Sequence, residues 1–542
     1  MKRVVVIGAA AGLGLAGLGL TGSAGAGTAA PAAPAKAAAG SLSWAPCTDE
    51  SLEGLGLECA TLRVPLDYRK PHGRQITLAL SRAKHTGTAD QYQGAMLVNP
   101  GGPGGEGRSY AARVFNRAAA SVKQAYDVIG FDPRGVAASE PSLSCDPDYF
   151  LPVRQDYVPR SVAEENSWRA KAAGYAKACG DKYGAVLDHM KTVDSVRDMD
   201  SIRAALGVSQ INYYGASYGT YLGSVYATAF PNRVRRMVLD SNVRPSGVWY
   251  DDNLDQDRAF DRNINTFFAW VAQYDSVYHV GATASSVRRF YYDLRAKLRT
   301  APVAGEVGPD ELDDSFLVLG YIDRGPYWDF FASVLSAVKA GHPEALVDAY
   351  ENFGLTTDDN GYAVYNAVQC TDVQWPTSWA KWRHDNAKVY REAPFETWGN
   401  AWYNAACLTW PGETGRPVHV GNARHLPSIL LFQATEDAPT PLGGGLEMHK
   451  LLRGSRLVIE DGGRTHGVVG RGNACVDDKF TAYLTTGALP ADFSHCDHLP
   501  YPVPPAASSA GSAASSASSS PSTLAAKSAA ARAHFPEVLG RR

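Results

Sequence analysis

From Gly94 onward the chain alternates short apolar runs with stretches whose apolar residues recur every three or four positions. Ala95-Met96-Leu97-Val98, Tyr126-Asp127-Val128-Ile129-Gly130-Phe131, Ile211-Asn212-Tyr213-Tyr214 and Val238-Leu239-Asp240 read as buried strands. Between them, Ser195 to Leu206 places apolar residues at Val196, Met199, Ile202 and Leu206, a helical period that Gly207 stops. Thr220 to Ala229 reads as a further helix. Such alternation predicts an α/β fold built on a mostly parallel sheet with flanking helices. Ahead of it, Thr61-Leu62-Arg63-Val64 and Ile76-Thr77-Leu78-Ala79-Leu80 predict antiparallel strands leading into the sheet.

The pattern breaks after Pro245. Up to Arg424 the chain is rich in aromatics (Trp249, Tyr250, Phe267, Phe268 and Trp270 among them) and mostly helical in period. Buried-strand runs resume at Ile429-Leu430-Leu431-Phe432 and Leu457-Val458-Ile459. A long helical insertion between two strands of one sheet predicts a cap. The expected organisation is a core in two parts, 41–244 and 425–500, with a large, mainly helical cap at 245–424.

The ends read differently. Met1-Lys2-Arg3, an apolar glycine-rich stretch and Ala24-Gly25-Ala26 are the parts of a secretory signal peptide, assigned to 1–26, with a flexible leader or pro-segment at 27–40. The apolar stretch is shorter and more glycine-broken than the ~20 residues of a spanning helix, so no stable membrane span is expected in the mature chain. Residues 501–542 are dominated by Ala, Ser and Pro, which predicts a disordered tail and a spacer at the cell envelope. A secreted or envelope-associated protein follows.

Charge and cysteines narrow the class. With 52 Lys and Arg against 55 Asp and Glu in 542 residues, no cationic surface supports nucleic acid as a partner. Eight cysteines in an exported chain favour disulfides. They fall into four sequence-local couples, Cys47 with Cys59, Cys145 with Cys179, Cys370 with Cys407 and Cys475 with Cys496. The close Cys-x-x-Cys spacing of a metal site is missing, so neither a metal nor an organic cofactor is expected.

The chemistry concentrates at Gly215-Ala216-Ser217-Tyr218-Gly219, between a predicted strand and a predicted helix. There a serine sits on a tight turn that tolerates only minimal side chains two residues away. A serine hydroxyl is a weak nucleophile and needs a base oriented by a third group. Past the strand Ile429–Phe432 stand Glu436 and Asp437; Asp437, in its proline-clamped loop, is preferred as the orienting acid. Past Leu457–Ile459 comes His466, flanked by glycine, as the base. Oxyanion donors are expected from the backbone N–H of Tyr218 and from Gly101 or Gly102 in Asn99-Pro-Gly-Gly-Pro-Gly-Gly105.

These motifs, with Gly130-Phe-Asp-Pro-Arg-Gly135 and Thr465-His466-Gly467, resemble in order those of the secreted tripeptidyl aminopeptidases of actinomycete bacteria. Those are serine peptidases of the α/β-hydrolase fold related to prolyl aminopeptidases. The resemblance covers about Ser43 to Pro500 and implies Ser217, Asp437 and His466 as nucleophile, acid and base. Glu106 stands where the family carries a small residue. The expected partner is the N-terminus of a peptide or protein, whose α-ammonium a carboxylate would hold at fixed distance from the serine. Glu106, Asp251, Asp252, Asp255, Asp257 and Asp372 are the candidates. The expected activity is release of short peptides, tripeptides foremost, through an acyl-enzyme. The alternatives are a carboxylester hydrolase on the same fold and a catalytically inactive envelope binding protein.

Overall fold

The computed structural model describes residues 42–324, 326–355, 359–421, 426–505 and 521–534. The predicted signal peptide and leader lie outside the described residues. Ten strands form one sheet: β1 (Ala45–Pro46), β2 (Glu58–Pro65), β3 (Gln75–Ala83), β4 (Gly94–Asn99), β5 (Tyr126–Phe131), β6 (Ile211–Ala216), β7 (Val234–Asp240), β8 (Ile429–Ala434), β9 (Arg456–Asp461) and β10 (Ser494–Asp497). Their order is β1-β2-β3-β5-β4-β6-β7-β8-β9-β10. β1, β2 and β3 pair antiparallel, as does β3 with β5; every other pairing is parallel. This is the α/β-hydrolase fold.

Alternate residues of each central strand feed opposite cores, as a period of two demands. Leu97, Tyr213, Leu239 and Leu431 belong to the core on one face, and Met96, Val98, Tyr214, Val238 and Phe432 to the core on the other. Register brings the ends of four strands level: Asn99 lies opposite Gly215, Ala216 opposite Asp240, and Asp240 opposite Phe432. Loops leaving these strands therefore emerge side by side, where ligand sites of parallel sheets form.

Between β7 and β8 the described chain is helical, with Tyr250–Gln273 as its longest helix. The cap has its own aromatic core, in which Phe267, Tyr291, Phe316, Trp328 and Phe331 are buried. Core and cap are tied by buried charge. Arg154, from the β5–β6 connection, pairs with Glu311 and Asp314 of the cap helix Pro309–Phe316. The disulfides are Cys47–Cys59, Cys145–Cys179, Cys370–Cys407 and Cys475–Cys496, the four local couples.

One expectation needs correction. Within the tail read as disordered, Pro521–His534 is a helix that docks on the cap. It buries Leu524 and Ala531, and Lys527 Nζ reaches Asp329 (3.0 Å) and Ser333 (2.8 Å). Alanine is the best helix former, and the cap supplies the apolar face that the segment lacks by itself. Among the described residues no helix is long and apolar enough to cross a membrane.

Arg134, in the loop after β5, is buried against Asp198 of the helix Thr192–Ala205 through two hydrogen bonds of 2.8 and 2.7 Å. Removing one partner of such a pair strands the other charge. Asp198→Ala is expected to destabilise the fold by about 3–5 kcal/mol, read as a lower urea midpoint; an unchanged midpoint would contradict this.

Candidate active site

Ser217 stands between the end of β6 and the helix Tyr218–Ala229, at φ 57° and ψ −129°. A non-glycine residue held there costs roughly 1–3 kcal/mol. The turn closes this tightly because a Cβ on Gly215 would lie 2.4 Å from the Gly219 carbonyl oxygen, and one on Gly219 would lie 2.7 Å from that of Asn99. Hydrogen bonds hold the strain in place. Ser217 N–H donates to the Asp240 carbonyl (3.0 Å), and Thr220 N–H to the Ser217 carbonyl (2.8 Å). Ser217 thus faces a cavity at the positive end of the helix dipole.

His466 lines the same cavity. Its Nδ1 lies 2.9 and 3.1 Å from the carboxylate oxygens of Asp437, which is fully buried. Thr440 orients that carboxylate, donating from its backbone N–H (2.9 Å) and its hydroxyl (3.0 Å). Glu436 turns away toward Arg262 and Arg464, at 3.8 and 3.7 Å. That leaves Asp437 as the acid beside the imidazole. The other ring nitrogen, Nε2, is buried and has no hydrogen-bond partner among the described residues.

The loop bearing His466 is pinned from both sides. From the core, Ser241 Oγ accepts Gly467 N–H (2.7 Å), and the buried Asp240 carboxylate accepts Val468 and Val469 N–H (3.0 Å each) and the Tyr214 hydroxyl (2.9 Å). Burial pushes the Asp240 carboxyl above its ordinary pKa, and these donors act against that rise. From the cap, the Tyr321 carbonyl accepts His466 N–H (2.8 Å), while Asp323 accepts Arg464 N–H (3.0 Å) and the Thr465 hydroxyl (2.6 Å). The helix Tyr250–Gln273 holds the acid loop: Gln256 donates to the Pro439 carbonyl (2.6 Å) and Asn263 to that of Glu436 (3.0 Å).

The oxyanion candidates separate. Gly101, at φ 102°, lies against the turn, and a Cβ there would come within 2.7 Å of Ser217 Cβ. Its N–H donates to Asn99 Oδ1 (3.0 Å), so its contribution is close approach rather than a free donor. Gly102 and Tyr218 line the cavity, and Tyr218 opens its helix, where backbone N–H groups have no intrahelical partner.

The six candidate acids divide as well. Asp252 and Asp255 line the cavity. Both pair with Arg244, at 3.1 and 3.0 Å. Asp252 Oδ2 is buried with no hydrogen-bond partner, and burial pushes this carboxyl up to about 8. Asp251 is exposed and Glu106 half-buried, and neither lines the cavity. Asp257 and Asp372 are buried behind the wall. Asp257 accepts from Asn400 (2.9 Å); Asp372 accepts the Thr192 N–H and hydroxyl (2.6 Å each) and Trp249 Nε1 (3.3 Å). For four of the six the side chain points elsewhere, which residue type cannot reveal.

Sequence reasoning missed Asp240, Tyr321 and Asp323, and also the wall built by Tyr149, Phe150, Arg154 and Tyr157 from the core. Asp240 did carry a signal, a carboxylate closing an apolar strand. For Asp323 there was none. Among the described residues no group of three or more His, Cys, Asp or Glu could hold a metal ion.

Fold and site together define a serine hydrolase of the α/β-hydrolase class. A family model described as "TAP-like protein" matches residues 393–496. Over 84% of this chain and 86% of its own length, a tripeptidyl aminopeptidase of Streptomyces lividans is 44% identical. Serine protease Hip1 of Mycobacterium tuberculosis is 32% identical over 84% of this chain and 91% of its own, and carboxylesterase B of the same organism 31% over 84% and 89%. The chain belongs to the tripeptidyl aminopeptidase family.

Because Asp323 acts through the loop carrying His466, Asp323→Ala should lower kcat on a short acyl ester and on a peptide alike. A fall of about 10- to 100-fold is expected, with KM little changed in steady-state kinetics. Loss confined to the peptide would contradict a positioning role.

Proposed function

We propose that this protein is a secreted serine exopeptidase that releases tripeptides from free N-termini. The observation that carries the reading is the imidazole of His466, oriented by Asp437 and left with an unpartnered Nε2 in the cavity that Ser217 lines. Ser217 Oγ attacks the scissile carbonyl while its proton passes to Nε2, and Asp437 stabilises the imidazolium. The oxyanion settles against the N–H groups of Tyr218 and Gly102. Collapse expels the amine, which takes the proton from Nε2. Water then attacks the acyl-enzyme with the imidazole as base, releasing the peptide acid and restoring the serine.

Asp252, with one oxygen unpartnered and Asp255 beside it, is the carboxylate proposed to hold the substrate ammonium. The proposed organisation is a signal peptide at 1–26, a leader at 27–40, the core at 41–244 and 425–500 and the cap at 245–424. The four disulfides fit an oxidising, extracellular setting. The carboxylester alternative is favoured by one observation, the 31% identical carboxylesterase B. It uses the same nucleophile and needs no ammonium.

The deciding experiment compares the chromogenic amides of a dipeptide, a tripeptide and the N-acetylated tripeptide. The free tripeptide should be turned over fastest, and Ser217→Ala should lose about 10⁴-fold or more. Equal rates for blocked and free tripeptide would overturn the exopeptidase reading.

The Asp252 role has its own pH signature. A carboxyl raised to about 8 loses its charge as pH falls through that value. The ratio of kcat/KM for free over blocked tripeptide should therefore fall as pH is lowered through about 8. Asp252→Asn should flatten that limb and lower the ratio about 10- to 100-fold, the weight of a hydrogen bond to a charged group. A ratio that stays level with pH in the wild-type protein would exclude Asp252.

A further inference from the structure

Buried polar atoms in folded proteins are almost always hydrogen-bonded, so an unpartnered one in a cavity wall is a candidate ligand contact. Gln369 is such an exception. It lies on the cap helix Asp359–Asp372, is 5% exposed, and lines the cavity that holds Ser217 and His466. Its Oε1 is buried and has no hydrogen-bond partner among the described residues, a condition it shares with His466 Nε2, which lines the same cavity. Other amides of the wall are used internally: Asn253 donates to the Trp249 carbonyl (3.2 Å), and Asn400 to Asn253 and Asp257 (3.2 and 2.9 Å).

The position is prepared for recognition rather than loosely filled. Gly361, Tyr365 and Gln369 follow one another at four-residue steps, so a single stripe of the helix faces the cavity. At its start the helix touches the oxyanion loop, where a Cβ on Gly104 would lie 2.6 Å from the Gly361 carbonyl oxygen. Next to Gln369 the backbone is stapled by Cys370–Cys407. One turn on, Asp372 is held by Thr192 and Trp249, and the Gln369 carbonyl accepts Trp375 Nε1 (2.8 Å). Little conformational freedom remains to be lost when a ligand binds.

Gln369 shares the wall with Tyr218 and Trp249, whose rings lie 5.8 Å apart, and Trp249 donates to Asp372, one turn on from Gln369.

We propose that Gln369 is a substrate-recognition residue whose Oε1 accepts a hydrogen bond from an N–H of the bound peptide. This rests on the exopeptidase reading above. The donor chemistry is shared by a main-chain amide and the terminal ammonium, and the experiment separates them.

Gln369→Met keeps the length of the side chain and removes the acceptor; Gln369→Glu keeps an acceptor. Each is assayed against the tripeptide amide, its N-acetylated form and p-nitrophenyl acetate, which has no N–H. The expected result is that Gln369→Met lowers kcat/KM on the tripeptide by about three- to tenfold, mostly through KM. Hydrolysis of the acetate ester should be unchanged, and Gln369→Glu should recover most of the loss. A loss that persists on the N-acetylated peptide assigns the donor to an uncharged amide N–H, and one that vanishes assigns it to the charged ammonium. Equal losses on peptide and ester, or no loss on either, would overturn the proposal. If Gln369→Met fails to fold, the same comparison is made with Gln369→Leu. A wild-type protein inactive on the free tripeptide amide would instead sink the exopeptidase reading, an outcome visible before any variant is made.

Discussion

The carboxylate of Asp240 is the constraint on which the site depends. It closes the central strand β7 and is fully enclosed, so its charge must be met by donors or its burial would cost several kcal/mol. Two backbone N–H groups past His466 and the Tyr214 hydroxyl supply them. The carbonyl of the same residue receives the N–H of Ser217. One residue therefore fixes the height of the serine turn and the course of the histidine loop, although the two lie some 250 positions apart in sequence by count from Ser217 to His466. Its neighbour Ser241 continues the arrangement by accepting Gly467 N–H and donating its own N–H to Phe432, at the end of the strand that leads to Asp437. Three loops of different origin share one anchor.

The cap is the second half of that anchorage. In a hydrolase whose lid only covers the cleft, the core would hold the reacting groups unaided. Here Tyr321 and Asp323 bond the histidine loop, and Gln256 and Asn263 bond the acid loop. The cap thus fixes the loops that carry His466 and Asp437 as well as shaping the cavity. The buried pairs of Arg154 with Glu311 and Asp314 brace it against the core, and the helix Pro521–His534 closes over its outer side.

What could be read in the sequence follows from how local each feature is. The apolar centres of strands β4 to β9 announce themselves, because residues buried between two layers of helices are mostly apolar, while the polar ends of β7 and β9 do not. The serine turn is visible because its steric demands fall on Gly215 and Gly219, two residues away on either side. The disulfides are local in sequence and were open to reading as couples. β10 stayed hidden, since Ser494–Asp497 is a short, polar edge strand. The helix at Pro521–His534 stayed hidden because its stability comes from a partner surface far away in sequence. The acids of the cap could be named but not sorted, because burial decides the role of each: Asp372 braces the wall and Asp252 faces the cavity. Gln369 had no local mark at all; only the folded cavity shows its acceptor without a donor.

The claim at the centre of this account is that Ser217 is the activated alcohol. The most direct test is to inactivate the protein with a fluorophosphonate and map the adduct by peptide mass spectrometry. A single phosphonyl group on Ser217, appearing in step with loss of activity, is the predicted result. An adduct on another serine, or full inactivation with Ser217 unmodified, would contradict the account.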